Sequence, residues 1–167
     1  GTVTTAPWRL KADVRWLPPE NWHLTLVFLG DVDDTRADDL VGLLQAVAER
    51  TAPFALTVSG AGCSPHADAA RVLWLGVAAG AEPLGQLARR CRTAASRVGI
   101  EVEGGRYRPH LTLGRHSRGV PVRGWLGVLD SFPSQTWLVD RFELYSSELN
   151  RGGSRYRALD RFELAGT

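Results

Sequence analysis

The chain has no methionine, one lysine (Lys11), two cysteines and four histidines in 167 residues. It also has no apolar run approaching the roughly 20 residues of a membrane span. Each scarcity removes a class of reading. Cys63 and Cys91 are too few for a disulfide framework and are expected to be free thiols acting as small hydrophobes. Cys63-Ser64-Pro65-His66 carries half of a zinc-ligand pattern, but no second Cys/His pair at ligand spacing follows, so no structural metal is expected. The acidic run Asp31-Val32-Asp33-Asp34-Thr35 fails as a calcium loop, because Arg36 stands where the sharp-turn glycine belongs. A Gly-rich phosphate loop ending in Lys-Ser/Thr, a G-x-S-x-G elbow and a His/Asp cluster of two-metal character are all missing, which counts against nucleoside triphosphate hydrolysis and metal-assisted hydrolysis. With neither a secretory leader nor a membrane span, the chain is expected to be a cytoplasmic monomer that needs no cofactor.

What is present is globular. Hydrophobic residues make up 44% and charged residues 23%, and a net charge of +2 argues for no particular partner. One domain spanning residues 1–167 is the expected organisation. Short strands are expected at 13–17 and 22–29, separated by Pro18-Pro19-Glu20-Asn21. After the aspartates, Leu40, Leu43, Leu44 and Val47 recur at helical spacing. Strands at 54–59 and 72–78 flank an expected loop from Gly60 to Asp68, and a second helix is expected over 83–98 with Gly99 as its stop. The remainder reads as a strand within 101–115, a helical turn at 125–129, and strands at 136–146 and 155–164 around Asn150-Arg151-Gly152-Gly153. That order is α+β, with much antiparallel pairing.

Two of the four histidines open the same tetrapeptide, His23-Leu24-Thr25-Leu26 and His110-Leu111-Thr112-Leu113. On a strand, alternation points His23 and Thr25 one way and their leucines the other, and it treats His110 and Thr112 alike. A single copy would be unremarked on a half-exposed strand. Two copies in a two-part, pseudo-twofold fold could bring both pairs to one cleft. Opposed imidazoles make a sensible acid and base, since histidine titrates near neutrality, and threonine hydroxyls suit phosphate oxygens. Arg115 lies three residues beyond Thr112, on the opposite face of a regular strand, and reaches the site only if a bulge or bend at Gly114 turns it.

The paired H-x-T-x motifs, with PPENWHLTLVFLG, RVLWLGV, RPHLTLGR and FELYSSELNRGGSRYRAL around them, resemble the two-histidine phosphoesterase superfamily, and within it the bacterial and archaeal RNA 2′,3′-cyclic phosphodiesterases, also named 2′-5′ RNA ligases. The resemblance runs from about Val14 to the C-terminus. It implies a bilobal α+β fold with two antiparallel-rich sheets around a central cleft and helices outside. It also implies metal-independent hydrolysis of a 2′,3′-cyclic phosphate, on an RNA end or a small nucleotide, to a 2′-phosphate. His23 then resembles the general acid and His110 the base that activates water, while Thr25, Thr112 and Arg115 resemble the phosphate-binding residues. The resemblance leaves two alternatives: 2′-5′ ligation of tRNA halves, and a non-catalytic nucleotide- or RNA-binding module. Trp22, Phe28, Tyr107 and Tyr145 are candidate stacking platforms beside core roles. The family's N-terminal strand and helix are not apparent in the 22 residues before His23, so the native product is expected to carry an additional strand ahead of Gly1.

Overall fold

The computed structural model describes residues 14–151 and 153–167. Its elements follow the chain as β1 (Arg15–Trp16), α1 (Asp34–Glu49), β2 (Phe54–Ser64), β3 (Ala70–Ala79), α2 (Ala81–Arg97), β4 (His110–Val120), α3 (Arg123–Asp130), β5 (Gln135–Val139), β6 (Arg141–Asn150) and β7 (Gly153–Glu163). The fold is α+β: a five-stranded sheet of order β1-β4-β3-β2-β5 and a β6-β7 hairpin, with antiparallel pairing throughout the recorded registers. The additional N-terminal strand is a question that lies outside the described residues. None of the described helices is long and apolar enough to cross a membrane.

The chain divides into two compact units. The first holds described residues 14–24 with Ser59–Gly76 and His110–Ser134; the second holds Thr25–Val58, Val77–Pro109 and Gln135–Thr167.

The second unit is built on the two long helices. Asp33 caps α1 by accepting from the Arg36 amide at 2.8 Å, so the acidic run serves the helix start. The apolar stripe of α1 (Leu40, Leu44, Val47) and that of α2 (Leu87, Cys91, Ala95) bury themselves with Phe142, Phe162 and Leu164 of the hairpin segment. Phe142 and Phe162, partners across the hairpin, stack at 5.0 Å. The sequence pattern at 136–146 is divided in the structure at Asp140, with β5 pairing to β2 and β6 to β7. Both segments alternate, and alternation does not say which sheet a strand joins.

The first unit has its core on one face of β3 and β4. Leu73 and Leu113 are buried with Val122 and Leu129, and Leu75, Leu111 and α3's Trp125 and Leu126 pack against them. The helical turn expected at 125–129 is the centre of α3, which covers this face. β2 continues as strand to Ser64, five residues into the expected loop, with Gly60 taking a φ of +82° within it.

Candidate functional site

The first histidine is positioned by a detour. β1 pairs with β4 at Arg15↔Arg115 and Trp16↔Gly114, and the Leu17 amide donates to the Leu113 carbonyl at 2.8 Å. The chain then leaves the sheet in a 3₁₀ turn, Pro19–Asn21, where the Trp22 amide donates to Pro19 O and the Trp22 indole Nε1–H to Leu17 O, both at 3.0 Å. It returns to the same edge of β4 through an antiparallel bridge, Leu24↔Leu111. Seven steps from Leu17 to Leu24 are thus set against two steps of β4, Leu113 to Leu111. The continuous strand expected over 22–29 is therefore absent; Leu24 alone bridges, because the prolines start a turn and supply no amide to the ladder.

His23 sits at the return point and is exposed. Its Nδ1 lies 2.7 Å from the Asn21 carbonyl oxygen. A carbonyl can only accept, so Nδ1 carries the hydrogen and proton exchange falls to Nε2. Antiparallel register around Leu24↔Leu111 sets His23 opposite Thr112.

The second motif depends on an irregularity in β4. Trp74 is paired with Thr112 and Leu73 with Gly114, so Leu113 is an extra residue on β4. Directly opposite residues of an antiparallel pair share a face. Val72, Trp74 and Gly76 alternate on one face of β3, and their partners are Arg115, Thr112 and His110. The bulge therefore places His110, Thr112 and Arg115 together on the face away from α3, with Leu111, Leu113 and Gly114 on the other. The condition on Arg115 is met by the residue before Gly114. Gly114 serves a different purpose, since a Cβ there would come 2.6 Å from Val14 Cγ1 and 3.4 Å from Arg15 O, and its absence lets β1 approach.

Two residues that sequence reasoning passed over share this face. The Trp74 ring centroid lies 5.8 Å from that of His110. Its indole rests over Gly62, where any Cβ would overlap the ring. The signal was RVLWLGV itself, with Trp74 two residues from Gly76. Arg15 is the second, cross-strand partner of Arg115. Both arginines are exposed and neither side chain has a hydrogen bond or ion pair among the described residues. Like charges directly opposite on one face are unfavourable unless an anion lies between them.

Thr25 opens the second unit, with an exposed side chain. Its carbonyl accepts from the Tyr107 hydroxyl at 2.8 Å. Burial, with a smaller effect of Cys91, pushes the Tyr107 hydroxyl up to about 12, so it remains a donor at any ordinary pH. Tyr107 thus holds the backbone at Thr25 through its hydroxyl. Tyr145 is hydrogen-bonded to Glu143, while Trp22 and Phe28 are exposed. Among the described residues no cluster of three His, Cys, Asp or Glu could hold a metal ion.

One sheet face thus carries two imidazoles, a threonine and opposed arginines beside an indole. The model of the 2′-5′ RNA ligase superfamily matches residues 6–151, and the chain belongs to that family. The Aquifex aeolicus RNA 2′,3′-cyclic phosphodiesterase is 30% identical over 161 residues, covering 94% of this chain and 85% of the relative. The chain is also similar to solved structures, among them the following two. A Thermus thermophilus protein has a TM-score of 0.79 at 28% identity, covering 95% of this chain and 86% of that one. Escherichia coli LigT complexed with 3′-AMP has a TM-score of 0.73 at 32% identity, covering 90% and 81%.

Proposed function

We propose that this protein hydrolyses 2′,3′-cyclic phosphates, on RNA ends or small nucleotides, to 2′-phosphates, and that it does so as a cytoplasmic monomer. The observation that carries this reading is the register of β4, which aligns His110, Thr112 and Arg115 on one face with His23 opposite Thr112. Relatives named RNA 2′,3′-cyclic phosphodiesterase supply the substrate class.

In this mechanism Thr112, Arg115 and Arg15 hold the non-bridging phosphate oxygens, with Thr25 as a further hydroxyl donor. His110 takes a proton from water as the water oxygen bonds to phosphorus. The bond from phosphorus to O3′ breaks, and His23 delivers a proton to the departing O3′ from Nε2. The products are a 2′-phosphate and a free 3′-hydroxyl. One proton is taken and one given, so the two histidines exchange protonation states over a turnover. Trp74 offers its indole to a nucleobase.

Incubation with 2′,3′-cyclic AMP and chromatography of the product tests this directly. Accumulation of 2′-AMP is the expected result. Unchanged substrate at high enzyme concentration, with nucleotide binding retained, would point instead to a binding module; joining of RNA halves without hydrolysis would point to ligation.

A further inference from the structure

Beyond Arg115 the β3-β4 ladder departs from register a second time. Val72 is opposite Arg115, but Ala70 is opposite Val120, so residues 116–119 of β4 face Arg71 alone. This outward fold of the strand is held locally. The Arg118 amide donates to His116 Nδ1 at 3.2 Å, and Gly119 adopts a φ of +89°, where a Cβ would lie 2.9 Å from Ala69 O. Under the fold lies a cavity of about 500 Å³ lined by Ser64, Pro65, Ala69, Arg71, Val72 and Arg118.

Its lining combines the apolar Pro65, Ala69 and Val72 with the cationic Arg71 and Arg118. Arg71 and Arg118 are exposed, and neither guanidinium has a hydrogen bond or ion pair among the described residues. The neighbouring carboxylate is already engaged: Asp68 accepts from Arg123 at 2.8 and 3.1 Å. Val72 lines the cavity and is also the cross-strand partner of Arg115, so the cavity adjoins the candidate phosphate site. Arg115 and Arg118 on β4, Arg15 on β1 and Arg71 on β3 put four guanidiniums without a hydrogen bond or ion pair among the described residues on three adjacent strands. Along β3, Trp74, the partner of Thr112, and Arg71 are three residues apart, about 10 Å at ~3.3 Å per residue. That span exceeds the phosphate of a single nucleotide.

We propose that the Arg71–Arg118 cavity binds RNA on the 5′ side of the cyclic end, the two guanidiniums gripping a phosphodiester while a ribose or base rests on the apolar wall. Planar, forked guanidiniums suit phosphodiester oxygens, and apolar walls with unpaired arginines suit single-stranded RNA. The proposal rests on the cyclic-phosphate reading and adds that the preferred substrate is an oligoribonucleotide.

The test compares wild type with R71A/R118A and R71K/R118K on two substrates: 2′,3′-cyclic AMP, and a short oligoribonucleotide ending in a 2′,3′-cyclic phosphate. R71A/R118A should lose about tenfold or more in kcat/KM on the oligoribonucleotide and keep wild-type turnover of cyclic AMP, which also shows that it is folded. At about 0.7 per phosphate neutralised on a single strand, its log–log salt slope should become shallower by about 0.7, while R71K/R118K, which keeps both charges, should stay near the wild-type slope. Equal losses on both substrates, or no loss on the oligoribonucleotide, would overturn the proposal. If wild type turns over neither substrate, the hydrolytic reading has failed. The cavity is then judged by fluorescence anisotropy of a labelled oligoribonucleotide: weaker binding by R71A/R118A supports it, and unchanged binding overturns it.

Discussion

Replacing Thr112 by valine removes one hydroxyl and little else. Thr112 is half-buried within β4, opposite Trp74, and its hydroxyl makes no hydrogen bond among the described residues. Valine has nearly the same shape and fits a strand at least as well, so the variant should fold with little change in stability. If that hydroxyl donates to a phosphate oxygen whose charge grows as water adds, the lost bond is one to a charged group, about 1.5–3 kcal/mol. At about 1.4 kcal/mol per factor of ten this corresponds to a fall in kcat/KM of about 10- to 150-fold, felt mainly in kcat. The matched control is Thr57→Val. Thr57 also lies in the five-stranded sheet, but its hydroxyl bonds Thr136 Oγ1 at 2.8 Å. Its loss should cost about 0.5–1.5 kcal/mol of stability, a few degrees in Tm, and leave turnover unchanged. Initial rates on 2′,3′-cyclic AMP and thermal melts of both variants decide the matter. Thr112→Val within twofold of wild-type kcat/KM would remove Thr112 from the phosphate site and would refute the facing derived from the Leu113 bulge.

The histidines are expected to separate by pH. Wild type should show a bell-shaped rate profile; His110→Ala should lose the acid-side rise and His23→Ala the alkaline fall, each with a drop of at least about 10²-fold in kcat and a smaller change in KM. Near-normal turnover by the double variant would discard the mechanism. Activity should survive exhaustive chelation, since no described cluster offers three metal ligands; loss restored by one particular divalent ion would contradict this. Tyr107 supplies an alkaline stability test. Its hydroxyl is raised from 10 to about 12 by burial, so between those values the unfolded chain ionises while the folded one stays protonated. Its contribution is therefore complete below about pH 10 and is lost as pH rises toward 12. Urea unfolding should show wild type more stable than Tyr107→Phe near neutrality, with the gap narrowing above pH 10; a constant gap would mean that the phenol is not buried as described.

The parts legible in the sequence were those set by one segment alone. The α1 stripe of Leu40, Leu44 and Val47, the cap at Asp33, and the inward leucines of the second HLTL each follow from a local period, 3.6 on a helix or 2 on a strand. The two copies of HLTL likewise single out His23, Thr25, His110 and Thr112 as candidates, each pair within one segment. What escaped was set by two segments at once. Nothing between 110 and 115 says that Leu113 is the extra residue; that is decided by how β4 meets Leu73 and Trp74. Arg15 is set against Arg115 only by the pairing of β1 with β4, two segments about 100 residues apart. Trp74 lies on the face of Thr112 and His110, where Gly62 on the neighbouring strand leaves room for its ring.

These misses share a cause that bears on how the site is built. A regular antiparallel ladder would place Thr112 and Arg115 on opposite faces and would leave His23 no turn from which to be oriented. Two irregularities change this: the seven-for-two detour between Leu17 and Leu24, and the extra residue at Leu113. They lie on the same stretch of β4, one on each edge, and each leaves the leucines on the core face undisturbed. Leu111, Leu113 and Leu73 remain packed under α3 while the opposite face gains a histidine, a threonine and an arginine in one line. A bulge leaves part of the ladder unpaired and bends the strand. Here the buried leucines and the Leu17 to Leu113 hydrogen bond hold that irregular backbone, and with it the shared facing of His110, Thr112 and Arg115.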